Sequence, residues 1–139
     1  MTNVRTGPCV GDLMTPDPVV VSESMPLVEA AKLMDVHGVS GLPVVDASGA
    51  LVGVVSQTDL LHARTTEGLW HAWTGLAVRH LMTRPAVSVD VDAGLDDAAE
   101  VMERLRIHRL VVVADDGRTP VGVLSVSDLV HSMALRGAR

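Results

Sequence analysis

Two stretches of this sequence carry side chains able to do chemistry in a fixed order: Gly53-x-x-Ser56-x-Thr58-Asp59 and Gly122-x-x-Ser125-x-Ser127-Asp128. In each, an aliphatic run gives way to helical spacing, so the motif falls where a strand hands over to a helix. Such a junction gathers unpaired backbone N–H groups at the positive end of a helix dipole, which favours an anionic or hydroxyl-bearing ligand. The aspartate can accept two hydrogen bonds from adjacent hydroxyls, as a ribose offers, and the Ser and Thr hydroxyls can donate to phosphate or sugar oxygens. The same residues also have a purely structural use. Ser-x-x-Asp is a capping-box-like pattern in which Ser56 or Ser125 caps the helix and Asp59 or Asp128 reaches back, contributing about 1 kcal/mol. A cap has no need of the second hydroxyl at Thr58 or Ser127, so both uses stay open.

The elements that must position these motifs are themselves duplicated. Leu13-Met14-Thr15 returns as Leu81-Met82-Thr83, and Ala30-Ala31-x-x-Met34 returns as Ala98-Ala99-x-x-Met102. The spacing is 68 residues through Met102 and 69 from Val52/Val121 onward, which places a one-residue insertion in the Asp115 to Pro120 turn. Each copy reads as strand, helix, strand, strand, helix. In the first, Val19 to Val21 is a short β-branched run, and Leu27, Ala30, Ala31 and Met34 form the apolar stripe of an amphipathic helix ending near Gly38. Leu42 to Asp46 and Leu51 to Ser56 flank the turn Ala47-Ser48-Gly49-Ala50, and helical spacing resumes from Gln57 to about Arg64. The second copy gives Val87 to Val89, Leu95 to about Arg106, Leu110 to Val113, Val121 to Leu124 and Val126 to about Leu135. Domain boundaries follow: a first repeat over 10–64, a linker over 65–77, a second repeat over 78–135, and flexible ends at 1–9 and 136–139.

A single repeat would bury only about 60% of its chain surface and be marginal, so pairing of the two is expected to be a condition of folding. The 139 residues are 47% hydrophobic with no Phe or Tyr, so the core must be built from branched aliphatic and Met side chains. No apolar run reaches the roughly 18 residues of a membrane span, and the polar start lacks the pattern of a signal sequence. A cytoplasmic location is the expectation. The lone Cys9 allows neither an internal disulfide nor a CxxC metal site. A net charge of −6 argues against a broad nucleic-acid surface, so an anionic ligand would have to be captured locally.

Arg104, Arg106, His108 and Arg109 form the densest basic cluster. Arg104 and Arg106 suit the C-terminal end of the helix from Leu95, while Arg109 suits a phosphate. His62 and His131 correspond to each other and read as a helix face rather than as metal ligands. Leu69-Trp70-x-x-Trp73, between Gly68 and Gly75, reads as a short helical turn packing its indoles onto the molecule, or else as a patch for a partner. No P-loop, HExxH, GxSxG or nucleophile with a base is present, so no catalytic residue and no enzyme activity are expected.

The ordered set of motifs resembles the cystathionine-β-synthase (CBS) domain pair over Val10 to about Ala134. The Leu-Met-Thr segments, the strands Val39 to Asp46 and Ile107 to Val113, and the Gly-x-x-Ser-x-Thr/Ser-Asp ends carry the resemblance. The second repeat, with Ile107-His108-Arg109-Leu110, is similar to those of the γ subunit of AMP-activated protein kinase. The resemblance implies an α/β (α+β) fold of two β-α-β-β-α repeats packed as a pseudo-two-fold pair, with two clefts between the repeats for adenosine-type ligands. It implies that Ser56, Thr58, Asp59, Thr83, His108 and Arg109 serve one cleft, and Thr15, Val39, Ser40, Ser125, Ser127 and Asp128 the other. Gly41 stands at the position of Arg109, and Pro43 at that of Val111, so the clefts are expected to be unequal. The implied function is regulatory: an adenine nucleotide (AMP, ADP, ATP or a related adenosyl compound) as ligand, no required cofactor or metal, a homodimer, and a separate effector protein. A ligand-independent interaction module is the alternative.

Overall fold

The computed structural model describes residues 8–137. In chain order the elements are α1 (Val10–Leu13), β1 (Thr15–Pro16), β2 (Val21–Ser22), α2 (Leu27–His37), β3 (Gly41–Val45), β4 (Leu51–Ser56), α3 (Gln57–Thr65), α4 (Glu67–His71), a 3-10 turn (Trp73–Gly75), α5 (Val78–Leu81), β5 (Ser88–Asp90), α6 (Leu95–Leu105), β6 (Arg109–Val113), β7 (Pro120–Ser125) and α7 (Val126–Gly137). This is a mixed α and β architecture with two small sheets, in which α2-β3-β4-α3 returns as α6-β6-β7-α7. The expected insertion is visible. Five residues separate β3 from β4 and six separate β6 from β7.

The chain folds into two compact units that are not cut where the sequence repeats. The first unit is Val19–Ala86, and the second joins Met1–Pro18 to Val87–Arg139. The short segment that leads each repeat is thus built into the unit holding the other repeat's hairpin.

In the first unit β3 pairs antiparallel with β4 and parallel with β2. Leu27, Ala30 and Met34, the stripe of α2, pack with Val21, Leu42, Val44 and Val55, and with Val78 and Met82 from α5 and the residue after it. Two backbone bonds dock α5 here: Val78 N donates to Met25 O at 2.8 Å and Arg79 N to Glu23 O at 2.9 Å. The helix α2 stops at Gly38, whose φ of 64° is the left-handed conformation that glycine adopts without a Cβ clash. Trp73 packs against this core, and Trp70 lies over Trp73 with ring centroids 5.6 Å apart while Arg64 Cζ sits 4.6 Å from the Trp70 ring centroid. The pair of indoles therefore closes a short helical segment, with Trp70 half-exposed at 43%.

The second unit repeats the plan. Its sheet runs β1-β7-β6-β5, and Val10, Ala98, Met102, Leu110, Val112 and Leu124 form its core. The helix α1 is docked by Val10 N donating to Ala93 O at 2.8 Å and Gly11 N to Val91 O at 2.9 Å, matching the bonds of α5. Residues 1–7, 138 and 139 lie outside the described residues. Of the expected flexible ends, Cys9 forms a bridge with Gly94, and α7 runs through Gly137, so these positions belong to regular structure. No helix of the described residues is long and apolar enough to cross a membrane.

Candidate ligand-binding site

Both Gly-x-x-Ser-x-Thr/Ser-Asp motifs fall at the junctions expected, β4 into α3 and β7 into α7. At the first, Ser56 is extended (φ −126°) and caps α3: Asp59 N donates to Ser56 Oγ at 3.3 Å, while Ser56 N and Ser56 Oγ donate to Asp59 Oδ2 at 2.8 and 3.0 Å. At the second, Ser125 N donates to Asp128 Oδ2 at 2.8 Å and Asp128 N to Ser125 Oγ at 3.2 Å. The capping use of the motif is therefore real in both copies. It engages one carboxylate oxygen and leaves the other, Oδ1, for a second task. Thr58 and Ser127 are exposed and take no part in the cap, and both aspartates are half-buried.

The glycine that opens each motif has a steric reason. A Cβ on Gly53 would lie 2.8 Å from Thr83 O and 3.1 Å from Met82 Sδ. On Gly122 it would lie 2.9 Å from Thr15 O and would collide with Met14 Sδ. The Leu-Met-Thr segments thus cross directly over the glycines, and backbone bonds hold one of them there: Thr83 N donates to Val54 O at 2.8 Å and Val54 N to Thr83 O at 3.0 Å. Thr15 pairs with Val123 in the same way. The Leu-Met-Thr segments and the motif glycines stand far apart in the sequence. They are two sides of one contact, and the signal was the invariant presence of both in each copy.

That contact brings a threonine into each aspartate's unit, Thr83 with Asp59 and Thr15 with Asp128. Thr83 Oγ1 donates to Asp59 Oδ1 at 3.3 Å. Hairpin pairing ties the remaining residues to the strand ends. Antiparallel pairing sets the start of each hairpin's first strand beside the end of its second, so Gly41 is in register with Ser56 and Arg109 with Ser125. Gln57 N donates to Ser40 O at 2.9 Å and Val126 N to His108 O at 3.0 Å, tying those loops to the helix starts. Within the second unit the backbone thus sets Arg109 beside Ser125, and within the first it sets Gly41 beside Ser56. Val39 and Ser40 correspondingly stand in the first unit with Ser56, Thr58, Asp59 and Thr83.

Each motif combines a carboxylate, hydroxyls and a helix N-terminus, a chemistry suited to a sugar or phosphate group. The first-unit group has Gly41 where Arg109 stands. Among the described residues no group of three or more His, Cys, Asp or Glu is arranged to hold a metal ion. At the opposite end of the β6–β7 hairpin from Ser125 lies an acidic turn. Asp116 there accepts from Thr119 Oγ1 at 2.5 Å, Thr119 N at 2.9 Å and Arg118 N at 2.8 Å. These bonds, first those of Thr119, lower its pKa to about 2. Asp115 is raised, first by a hydrogen bond with Asp92 and then by that neighbour's charge.

Residues 10–65 and 78–135 each match the CBS domain, and the chain belongs to the CBS domain family as a tandem pair of repeats. It is similar to CBSX2, solved in complex with AMP, at 36% identity with a TM-score of 0.80, covering 96% of this chain and 100% of that one. A structure of CBSX2 from Arabidopsis thaliana gives 34% identity and a TM-score of 0.81, covering 96% of this chain and 99% of that one. The CBS domain pair of protein MJ0100, solved with 5′-methylthioadenosine and S-adenosyl-L-methionine, is 26% identical with a TM-score of 0.80, covering 93% and 98%. Among curated proteins, the CBS domain-containing protein YhcV of Bacillus subtilis is 32% identical over 130 residues, covering 93% of this chain and 89% of that protein. Other relatives are much longer. The chain spans 22% of the L-aspartate semialdehyde sulfurtransferase of Methanocaldococcus jannaschii and 22% of the inosine-5′-monophosphate dehydrogenase of Korarchaeum cryptofilum, at 29% and 30% identity over 86% and 83% of this chain.

Proposed function

We propose that this chain is a non-catalytic regulatory module that binds adenosine-type ligands at its two Ser-x-Thr/Ser-Asp helix starts and passes the signal by conformational change to a partner protein. One observation carries the reading: a protein 36% identical over essentially the whole of both chains was solved holding AMP. The local geometry supports it, since each cap engages only Oδ2 and leaves Oδ1 facing either the Thr83 hydroxyl, at Asp59, or open space, at Asp128, beside the hydroxyls of Thr58 or Ser127. Arg109 and His108 supply the phosphate contacts in this reading. AMP, ADP, ATP and S-adenosylmethionine are the ligands to compare.

The test is thermal melting with each ligand at millimolar concentration. A ligand at a hundred times its Kd stabilises by about 2.7 kcal/mol, so AMP is expected to raise the melting temperature. Arg109→Ala removes a charge-assisted bond of about 1.5–3 kcal/mol and is expected to weaken AMP by one to two decades. No change in melting with any of these ligands would count against the reading.

A second reading, an interaction module acting without ligand, is favoured by an exposed apolar stripe on α7. Val130 is 55% and Met133 69% exposed, one and two turns beyond Val126. We infer that this stripe serves self-association into a homodimer, and native mass spectrometry before and after nucleotide removal separates the two readings. A dimer or partner complex retained without nucleotide, and indifferent to Asp128→Asn, favours the second.

A further inference from the structure

The two aspartates are equivalent in sequence but not in their bonding. Asp128 uses Oδ2 for its cap, and its Oδ1 has no partner among the described residues. Asp59 uses Oδ2 for its cap and Oδ1 for Thr83 Oγ1, so both of its oxygens are engaged from within the protein. Thr83 is an exposed residue, yet it is not a loose one: its backbone N–H and C=O are both bonded to Val54, and Met82 just before it is buried in the core of the first unit. A hydroxyl on so well anchored a backbone can leave Asp59 by rotation about χ1 alone.

The geometry points to Thr83 as a latch on the first-unit site. A ligand presenting a vicinal diol to Asp59 must displace the Thr83 hydroxyl, whereas the same diol meets an open oxygen at Asp128. Two consequences follow, both resting on the nucleotide reading above. The second-unit site fills first, because it has no latch to open. Occupation of the first-unit site is registered at Thr83, immediately before Arg84-Pro85, in the segment that leads out of that unit toward β5. The latch sets the order and the readout of the two binding events. It adds no new ligand.

Isothermal titration with AMP tests this in an Asp128→Asn background, which keeps a capping oxygen at the second unit while weakening its hold on a diol. Adding Thr83→Val removes the hydroxyl and keeps the β-branched shape. The expected result is AMP binding at the Asp59 site about three- to tenfold tighter than with Thr83 in place, the range for one net hydrogen bond no longer broken. Thr83→Ser, which keeps the hydroxyl, is expected to bind less tightly than Thr83→Val. In the chain with Thr83, scalar couplings that report χ1 of Thr83 are expected to change on AMP addition, a readout that needs no substitution at that position. Unchanged or weaker binding in Thr83→Val, a fixed χ1, or loss of all AMP uptake in Asp128→Asn alone would each overturn the latch and leave the nucleotide reading standing. Absence of AMP uptake by the unsubstituted chain would overturn both.

Discussion

Gly122 has no Cβ because the chain that leads the first repeat passes over it. An added methyl would meet Thr15 O at 2.9 Å, a backbone atom pinned by strand pairing, as well as the more yielding Met14 side chain. Gly122→Ala is therefore expected to destabilise by about 1–3 kcal/mol, read as a lower urea midpoint. The acidic turn gives a second residue-scale expectation. The pKa of Asp116 is depressed from 3.8 to about 2 in the fold, so its contribution to stability is present above the unfolded value and is lost as pH falls from about 4 toward 2. Carbon-13 titration of the carboxyl is expected to show this, and Thr119→Val is expected to move the Asp116 midpoint back toward 3.8. Asp115, raised by Asp92, works in the opposite sense and favours the fold more as pH falls through its own titration.

At the scale of elements, α2 and α6 end in the same backbone conformation by different means. Gly38 has φ of 64°, and Arg106, 68 residues later, has φ of 54°. A left-handed non-glycine residue costs about 1–2 kcal/mol, partly offset in a glycine variant by its greater unfolded-state entropy. Arg106→Gly is expected to raise stability by up to about 1 kcal/mol, measured as a higher urea midpoint at unchanged m. That cap was illegible in the sequence because an arginine carries no signature for positive φ, whereas Gly38 advertised its own. The helices α2 and α6 and the two hairpins were legible, since Leu27, Ala30, Ala31 and Met34 mark one face and the Gly-containing turns separate β-branched runs. The destination of Leu13-Met14-Thr15 was not, because a four-residue helix and a two-residue strand are too short to show a period.

At the scale of the molecule, repeat and compact unit are different things. A fragment cut as a sequence repeat, 10–65, lacks Val78 and Met82, both buried in the core of the first unit. A fragment cut as a unit, 19–86, contains every residue of that core. The 19–86 fragment is expected to show more helical circular dichroism and a more cooperative melt than 10–65, and the reverse order would contradict the division into units. The match of two separate CBS stretches to one chain is thus compatible with neither stretch completing a core by itself.

The pairing of Thr15 with Val123 carries a consequence for the newborn chain. Residues 10–16 are made well before their strand partner, Pro120–Ser125. At about 5–20 residues per second, the leading segment waits on the order of ten seconds without its place in a sheet. All of Val19–Ala86 is synthesised within that interval, so the unit that starts second is positioned to finish first.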